Sequence, residues 1–198
     1  TTIKLYQLKI KNTKEQFESL VSHIPDMIYR CKIDDDFTIL YVYNAIETIT
    51  GYTIDEIKFN RVVSFVSIIH IDDLAMVRKN INLMLKNNTL NIDLKYRIIS
   101  KDGRIIWINN NIQLINDKHH SYFEGVISDI TAQKVAYDKL YKFIDTQDNM
   151  VILTTGKNIE FANKKFFQFL GFKNIEDYKI NHKCISDLFL EDEKFFNL

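Results

Sequence analysis

The stretch that decides the fold is Glu124-Gly125-Val126-Ile127-Ser128-Asp129-Ile130-Thr131-Ala132-Gln133-Lys134. Val, Ile and aromatic residues recur from Ser121 to Ile130, which favours a pleated, half-buried strand. Asp129 and Thr131 are helix-capping residue types that stand directly before Ala132-Gln133-Lys134. The stretch therefore predicts a strand that runs straight into a helix. Such a junction couples two elements mechanically and contains no catalytic motif.

The other strands of the same sheet are predicted from alternation and from turn residues. A first hairpin joins Met27–Ile33 to Phe37–Tyr43 through the turn Asp34-Asp35-Asp36. Further along, Leu90 to Ser100 alternates, and Asp102-Gly103 is a hairpin signal between it and Arg104 to Ile115. With Ser121 to Ile130, five strands are expected. Because neighbouring strands are joined by hairpin turns, we expect an antiparallel sheet.

Helices are predicted between the two groups of strands, from Asn44 to Lys86. Asn44 is expected to cap Ala45–Thr50, which Gly51 ends, and Thr53 to cap Ile54–Phe59 with Glu56 at capping-box spacing. Asp72 or Asp73 is expected to open a longer helix through Leu85. Its apolar face contains Leu74, Val77, Ile81, Met84 and Leu85. The order indicates an α+β domain whose antiparallel sheet is covered by helices on one face.

Residues 1–24 carry a heptad pattern that predicts a helix. The apolar positions are three or four residues apart: Ile3, Tyr6, Ile10, Thr13, Phe17, Leu20 and Ile24. Two interpretations stay open, a coiled coil with a second chain and an amphipathic helix that lies on its own domain. Pro25 ends the helix at or before Ile24.

The ordered fragments of residues 25–131 together resemble PAS domains of the bacterial sensory-box type. The fragments are Ile24-Pro25-Asp26-Met27-Ile28-Tyr29-Arg30-Cys31, Leu40-Tyr41-Val42, Ile49-Thr50-Gly51-Tyr52, Ile69-His70-Ile71-Asp72-Asp73, Tyr96-Arg97-Ile98, Lys101-Asp102-Gly103 with Trp107, and Glu124 to Thr131. Three positions depart from the family pattern: Ile71, Phe37 and Ala132-Gln133. The last of these lies at the junction between the final strand and the helix. The resemblance implies a PAS fold, with a five-stranded antiparallel sheet and helices on one face.

A partial second copy is predicted from Asp148 to Leu198. Met150–Thr154 and Asn158–Phe161 form a hairpin around Gly156, and Ala162–Phe172 parallels Asn44–Tyr52 as a helix that ends in Gly-aromatic. This repeat resembles the front half of a PAS domain. We expect either a chain cut at this point or another chain that covers the open sheet edge. The expected domains are an N-terminal helix at 1–24, a PAS domain at 25–131, a signalling helix at 132–147 and the partial unit at 148–198.

The resemblance implies a sensory module that controls an output domain of the same polypeptide, as in a sensor histidine kinase or a diguanylate cyclase of a two-component or related system. The candidate ligand pocket lies between the sheet and the long helix. By strand alternation its lining candidates are Met27, Tyr29, Cys31, Leu94, Tyr96, Ile98 and Ile127. Asp129, Ile130 and Thr131 are the expected signal-coupling residues, and a homodimer is the expected assembly. The alternative is a ligand-free dimerisation and interaction module.

Cofactor chemistry known in PAS proteins is not expected here. Haem-binding members use a histidine in the long helix, and Asp72 to Leu85 contains none. Flavin-binding light sensors carry a reactive cysteine in an Asn-Cys-Arg setting, which neither Cys31 nor Cys184 matches. We therefore expect no haem, no flavin and no metal, and an unidentified small molecule remains as the ligand class.

The composition excludes further function classes. Acidic and basic residues number 26 each, so nothing favours nucleic acid or an anionic membrane as a partner. Two cysteines are too few for a disulfide framework, which favours the reducing cytoplasm. No apolar run is long enough to span a bilayer, and the chain begins at Thr1, so we expect a cytoplasmic piece of a longer protein that other segments can anchor in a membrane.

No motif of an enzyme is found in the sequence. Phosphate loops, dinucleotide fingerprints, zinc patterns and nucleophile elbows are absent, so any kinase or cyclase activity would lie outside this chain. The five histidines, His23, His70, His119, His120 and His182, are scattered. His70 is expected to start a helix or donate a hydrogen bond, because a metal-binding histidine needs an oriented partner.

Overall fold

The computed structural model describes residues 2–21, 24–117, 120–155 and 158–181. The chain divides into two compact units, Thr1–Ala132 and Gln133–Leu198. The interpretations made for His23, His119, His182 and Cys184 lie outside the described residues. Each unit is described by itself below.

The first unit is built on one antiparallel sheet of five strands. The strands are β1 (Met27–Lys32), β2 (Ile39–Asn44), β3 (Asn91–Ile99), β4 (Ile105–Asn116) and β5 (Ser121–Asp129). Their order across the sheet is β2-β1-β5-β4-β3, so the first and last strands in sequence are neighbours at its centre. This confirms the predicted PAS sheet. The predicted first hairpin is too long at its turn, because Ile33, Phe37 and Thr38 lie between β1 and β2, and Phe37 has a positive φ of 49°.

Helices between β2 and β3 cover one face of this sheet. They are α2 (Ile46–Thr50), α3 (Ile54–Ile57) with a 3-10 turn at Lys58–Asn60, α4 (Phe65–Ile68) and α5 (Ile71–Lys86), and a further helix, α1 (Thr2–Val21), precedes β1. The Thr53–Glu56 capping box is confirmed, and Gly51 ends α2 in the left-handed conformation. The cap predicted at Asn44 is wrong. Ala45 occupies that position, and the Asn44 amide donates to the carbonyl of Ile24 instead.

The start of α5 also differs from the prediction. His70 is the N-cap, and its Nδ1 accepts a hydrogen bond from the backbone N–H of Asp72. Asp73 is thereby free to point toward the sheet, where its carboxylate accepts three hydrogen bonds from the backbone, Nε and Nη2 of Arg97 at 2.6–2.9 Å. The guanidinium also lies 5.6 Å from the ring of Trp107. These contacts attach α5 to β3.

Asp73→Asn is expected to reduce stability at neutral pH but not in acid. The Arg97 hydrogen bonds hold the pKa of Asp73 below its usual value. A lowered pKa stabilises the folded state above the unfolded pKa of about 3.9, and this stabilisation disappears as pH falls through the folded pKa. Urea unfolding at several pH values should show that the deficit of the variant closes below about pH 4.

Asp72→Asn serves as the matched control for this experiment. Asp72 lies in the same helical turn, 3.4 Å from Arg97, but its side chain is 68% exposed. An exposed ion pair contributes little to stability. A deficit for Asp73→Asn that is constant from neutral pH to acid would contradict the assignment.

The core of the first unit lies between the sheet and the helices. Alternate strand residues point inward and are almost fully buried, among them Met27, Tyr96, Ile98, Phe123 and Ile127. Val77, Ile81 and Met84 supply the buried face of α5, as its apolar pattern predicted. In contrast, the described apolar side chains of α1 are exposed, as Ile3 at 75% and Ile10 at 68% illustrate.

The second unit contains a short antiparallel hairpin and two helices. After α6 (Thr131–Asp145), which starts in the first unit, come β6 (Ile152–Thr154), β7 (Ile159–Ala162), α7 (Lys164–Leu170) and α8 (Ile175–Asn181). The predicted hairpin and the helix ending at Gly171 are confirmed. Asn163 is completely buried, caps α7 and donates to the carbonyls of Ile144 and Asn149. It therefore attaches the last turn of α6 to the hairpin.

Candidate functional site: a core cavity and a strand–helix junction

The core of the first unit encloses a cavity of about 20 Å³. Its walls come from the inward faces of all five strands, from the β1–β2 turn and from α4 and α5. The lining residues are Tyr29, Cys31, Phe37, Ile39, Phe65, Val77, Ile81, Tyr96, Asn110, Ile112 and Phe123. A water molecule needs about 10–15 Å³ on this measure, so the cavity has room for about one.

A buried polar triad crosses the cavity wall. The Tyr29 hydroxyl donates to Asn110 Oδ1 at 3.1 Å, and Asn110 Nδ2 donates to the Tyr96 hydroxyl at 2.9 Å. All three residues are at least 94% buried. Because unpaired buried polar groups are costly, these mutual hydrogen bonds are what allows two phenols and an amide to lie in an apolar core.

The protonation states of the lining groups suit binding better than catalysis. Burial raises the pKa of Tyr29 and of Tyr96 above their ordinary values, although the hydrogen bond with Asn110 opposes this for both. Burial, followed by the charge of Asp34, raises the pKa of the Cys31 thiol to about 12. A thiol with this pKa is protonated at neutral pH and is a poor nucleophile. The cavity therefore presents neutral hydrogen-bonding groups.

The seven predicted pocket residues are all buried, but only Tyr29, Cys31 and Tyr96 line the cavity. Met27, Leu94, Ile98 and Ile127 pack elsewhere in the same core. Asn110 was missed. Its signal was present, because Ile106, Ile108, Ile112 and Leu114 all face inward on β4 and Asn110 is the polar residue in that register.

The opposite face of the sheet carries a wider and open groove of about 520 Å³. It is lined by residues of β1, β2, β4 and β5, among them Tyr41, Tyr43 and Val126. Arg30 and Glu124 also line this groove, where the Arg30 guanidinium donates to Glu124 and lies 4.1 Å from the ring of Tyr122. The predicted pocket residue Tyr29 also contacts this groove through its place in β1.

The strand–helix junction is held by two side chains. Asp129 Oδ1 accepts a hydrogen bond from the backbone N–H of Thr131, the first residue of α6, at 2.8 Å. Thr131 Oγ1 instead accepts from the backbone N–H of Trp107 on β4 at 2.9 Å. The prediction that the Thr131 side chain caps α6 is therefore wrong, because its hydroxyl binds the backbone of β4. This hydrogen bond attaches the first residue of the helix to the sheet.

Ile130 completes the junction through its backbone. Its N–H donates to the carbonyl of Trp107 at 2.8 Å, which extends the β4–β5 ladder by one residue past Asp129. The side chain of Trp107 is half-buried on the outer side of the sheet, beside Arg97. Contiguous contacts thus lead from Asp73 on α5 through Arg97 and Trp107 to Thr131 on α6.

In the ranges of residues given above, no group of three or more His, Cys, Asp or Glu side chains could hold a metal ion. Among the helices in those ranges, none is both long and apolar enough to cross a membrane.

Comparisons with known proteins agree with this geometry. A family model described as "PAS fold" matches residues 39–127, and one described as "PAS domain" matches residues 138–197. No curated protein sequence matches the chain.

Solved structures share the fold at low sequence identity. A sensory box histidine kinase/response regulator from Burkholderia thailandensis superposes with a TM-score of 0.52 at 22% identity, over 65% of this chain and 94% of that one. The PAS domain of an HTR-like protein from Haloarcula marismortui gives 0.52 at 20% identity, over 64% and 99%. An RNA-binding light-oxygen-voltage receptor gives 0.54 at 16% identity, over 66% and 36%. The sheet order, the helical cover and the two family matches together place the chain in the PAS family, with one PAS domain followed by a second PAS-like unit.

Proposed function

We propose that this chain is the sensory segment of a bacterial signal-transduction protein, and that it controls an output domain of the same polypeptide. The family match supports a sensory role, and output domains of the sensor histidine kinase or diguanylate cyclase kind fit it. Free, buried Cys31 fits a reducing cytoplasm. In this proposal the core cavity receives the stimulus, the junction at 129–131 transmits it, and chemistry takes place outside this chain.

The observation that carries the proposal is the bond between Thr131 and Trp107. It joins the first residue of α6 to the strand that also supplies Asn110 to the cavity. A shift of β4 would therefore move both the cavity wall and the start of α6. Small shifts are transmitted in proteins when packed elements have two discrete arrangements.

The double substitution Asp129→Ala with Thr131→Ala should uncouple the sheet from α6. Each removes a hydrogen bond worth about 1 kcal/mol, which is comparable to the free-energy gap of a two-state switch. In the full polypeptide, output activity should stop responding to the stimulus. In this chain, amide exchange at Val135–Asp138, the first amides of α6 with acceptors inside the helix, should accelerate about tenfold or more, since 1.4 kcal/mol corresponds to a factor of ten.

Asp138→Ala with Thr146→Ala is the matched control, because it changes the same residue types within α6 and directly after it. Circular dichroism should show that both double variants keep their fold. A normal stimulus response in the 129/131 variant would mean that the junction is only a connector.

We also propose a homodimer in which α1 supplies much of the contact. Its described apolar side chains, Ile3, Leu5, Tyr6, Leu8 and Ile10, are 56–75% exposed. Of these, Ile3, Tyr6 and Ile10 have the spacing of a coiled coil, and a second copy of the same helix would bury them.

Removal of residues 1–24 should convert the dimer to a monomer, because the paired apolar positions would be lost. Static light scattering measures the mass of both forms. A dimer of unchanged stability without this segment would show that α1 is not the interface.

The alternative function is a ligand-free interaction module. The small size of the cavity favours it, because side chains occupy nearly all of the space. The two functions differ in whether the core can open to admit a molecule.

A further inference from the structure

A second hollow lies beside the core cavity. It is a crevice of about 160 Å³ between the β1–β2 turn and α5, open to solvent and lined by Ile33, Asp34, Asp35, Phe37, Arg78, Ile81, Asn82, Leu85 and Phe123. Phe37, Ile81 and Phe123 line both the crevice and the core cavity. These three side chains are therefore the partition between the cavity and the outside.

Phe37 is the member of the partition that lies outside the regular elements. Ile81 and Phe123 belong to regular elements and are only 6% and 1% exposed. Phe37 lies in the turn, is half-buried, and has a φ of 49°. A bulky residue in the left-handed region is unfavourable and persists only where its surroundings hold it, and such residues are found at ligand clamps and switches.

The segment that carries Phe37 is held on both sides. On its C-terminal side, the carbonyl of Thr38 accepts from the backbone N–H of Lys32 at 3.0 Å, and the hydroxyl of Thr38 accepts from the side-chain amide of Asn60 at 2.9 Å. Inside the turn, Asp34 accepts hydrogen bonds from the backbone N–H groups of Phe37 and Thr38. Across the crevice, Arg78 Nη2 donates to the carbonyl of Asp35 at 3.1 Å, and both side chains are substantially exposed. The Arg78–Asp35 contact is exposed and contributes little stability, so the main cost of opening is the contact that the half-buried Phe37 ring makes with the core.

We propose that the core cavity is a gated binding site, closed by Phe37, for a neutral molecule of about one ring that carries a hydroxyl or amide group. This rests on the proposed sensory function and adds the entry route and the ligand class. Opening moves the Phe37 ring outward, and the ring of the ligand takes its place.

The size and chemistry of the cavity define this class. An apolar cavity that binds benzene has a volume of about 150 Å³, so 20 Å³ is too small for a ring unless Phe37 moves. The lining contains no charged side chain, and burial of an unpaired charge is costly. The phenols of Tyr29 and Tyr96 and the amide of Asn110 provide donors and acceptors for one polar group.

Phenol at pH 7 is a suitable probe, with benzoate as the charged molecule of similar shape. The side-chain amide of Asn110, observed by NMR in the full chain, reports on the cavity. Phenol should produce a saturable shift in the unmodified protein. Phe37→Gly removes the ring and suits the positive φ, so phenol should bind about tenfold more tightly, because apparent affinity scales with the fraction of open molecules. Benzoate should not bind.

Phe59→Gly is the matched control. Phe59 also has a positive φ, of 58°, but is 51% exposed and lines neither hollow. Arg78→Ala should raise the rate of phenol binding without enlarging the cavity, and Arg61→Ala, which breaks an exposed ion pair elsewhere, should not.

Equal phenol affinity in Phe37→Gly, Phe59→Gly and unmodified protein would overturn the proposal. So would the absence of any Asn110 shift in unmodified protein up to the solubility limit of phenol. If Phe37→Gly does not fold, the rates of phenol binding to Arg78→Ala and to Arg61→Ala are compared instead. Equal rates for these two variants would overturn the proposal. Either failure leaves the coupling test at Asp129 and Thr131 unaffected, because that test changes no residue of the cavity.

Discussion

Asn110→Ala is expected to destabilise the first unit by about 3 kcal/mol. The substitution removes the acceptor of the Tyr29 hydroxyl and the donor to the Tyr96 hydroxyl, and both phenols stay buried. A buried polar group that loses its hydrogen-bond partner lowers the free energy of unfolding by about 1–3 kcal/mol. The space left by the amide adds to this cost.

Urea unfolding followed by the fluorescence of Trp107 measures this effect. Trp107 is the single tryptophan of the chain and lies in the first unit, so its signal reports that unit even if the two units unfold separately. Asn111→Ala is the control, since Asn111 is the exposed neighbour on the outer face, where substitutions change stability by about 0.5 kcal/mol or less. Equal losses for the two variants would show that the triad contributes no special stability.

Gly125→Ala is expected to cost about 2–3 kcal/mol, which is a large effect for one methyl group. Gly125 is opposite Tyr29 in the β1–β5 register. A Cβ at this position would lie 2.7 Å from the carbonyl oxygen of Asn111 and 2.7 Å from the Tyr29 ring. Neither can yield easily, because the oxygen belongs to the β4 backbone and the ring is held by Asn110.

Gly103→Ala separates lack of space from backbone conformation. Gly103 has a φ of +86° in the β3–β4 turn, and a Cβ there would meet nothing within 4 Å. Gly103→Ala should therefore lower the free energy of unfolding only by the cost of placing alanine at a positive φ, about 1–2 kcal/mol. The same Trp107 fluorescence assay compares both variants, and a greater loss for Gly103→Ala would contradict the steric account of Gly125.

The two variants together test whether the triad determines the position of Tyr29. Asn110 holds the hydroxyl end of the ring, and Gly125 leaves room for its edge. If both assignments are right, the double variant should cost less than the sum of the single ones, because contacting residues are not additive. The double variant therefore tests whether Gly125 on β5 and Asn110 on β4 position the same residue of the cavity wall, Tyr29.

Local patterns in the sequence determined the elements of the PAS fold. Alternation placed Leu94, Tyr96 and Ile98 on the inner face of β3, and the Asp102-Gly103 pair located the turn that follows. The Thr53–Glu56 spacing predicted a capping box that is present. These features depend on residues a few positions apart, and for them spacing alone determines which side chains share a face.

Only the tertiary structure decided the partners of polar side chains. Asn110 meets Tyr29 across 81 positions of sequence, and Thr131 meets Trp107 across 24. Capping preference predicted a local partner for Thr131 and for Asn44, and both bind a distant backbone instead. The size of the cavity and the position of Phe37 as its partition likewise depend on how helices and strands remote in sequence pack together. The sequence by itself therefore determined which elements form and which faces are buried, whereas three-dimensional packing decided which of the buried groups bind each other and how little space they leave.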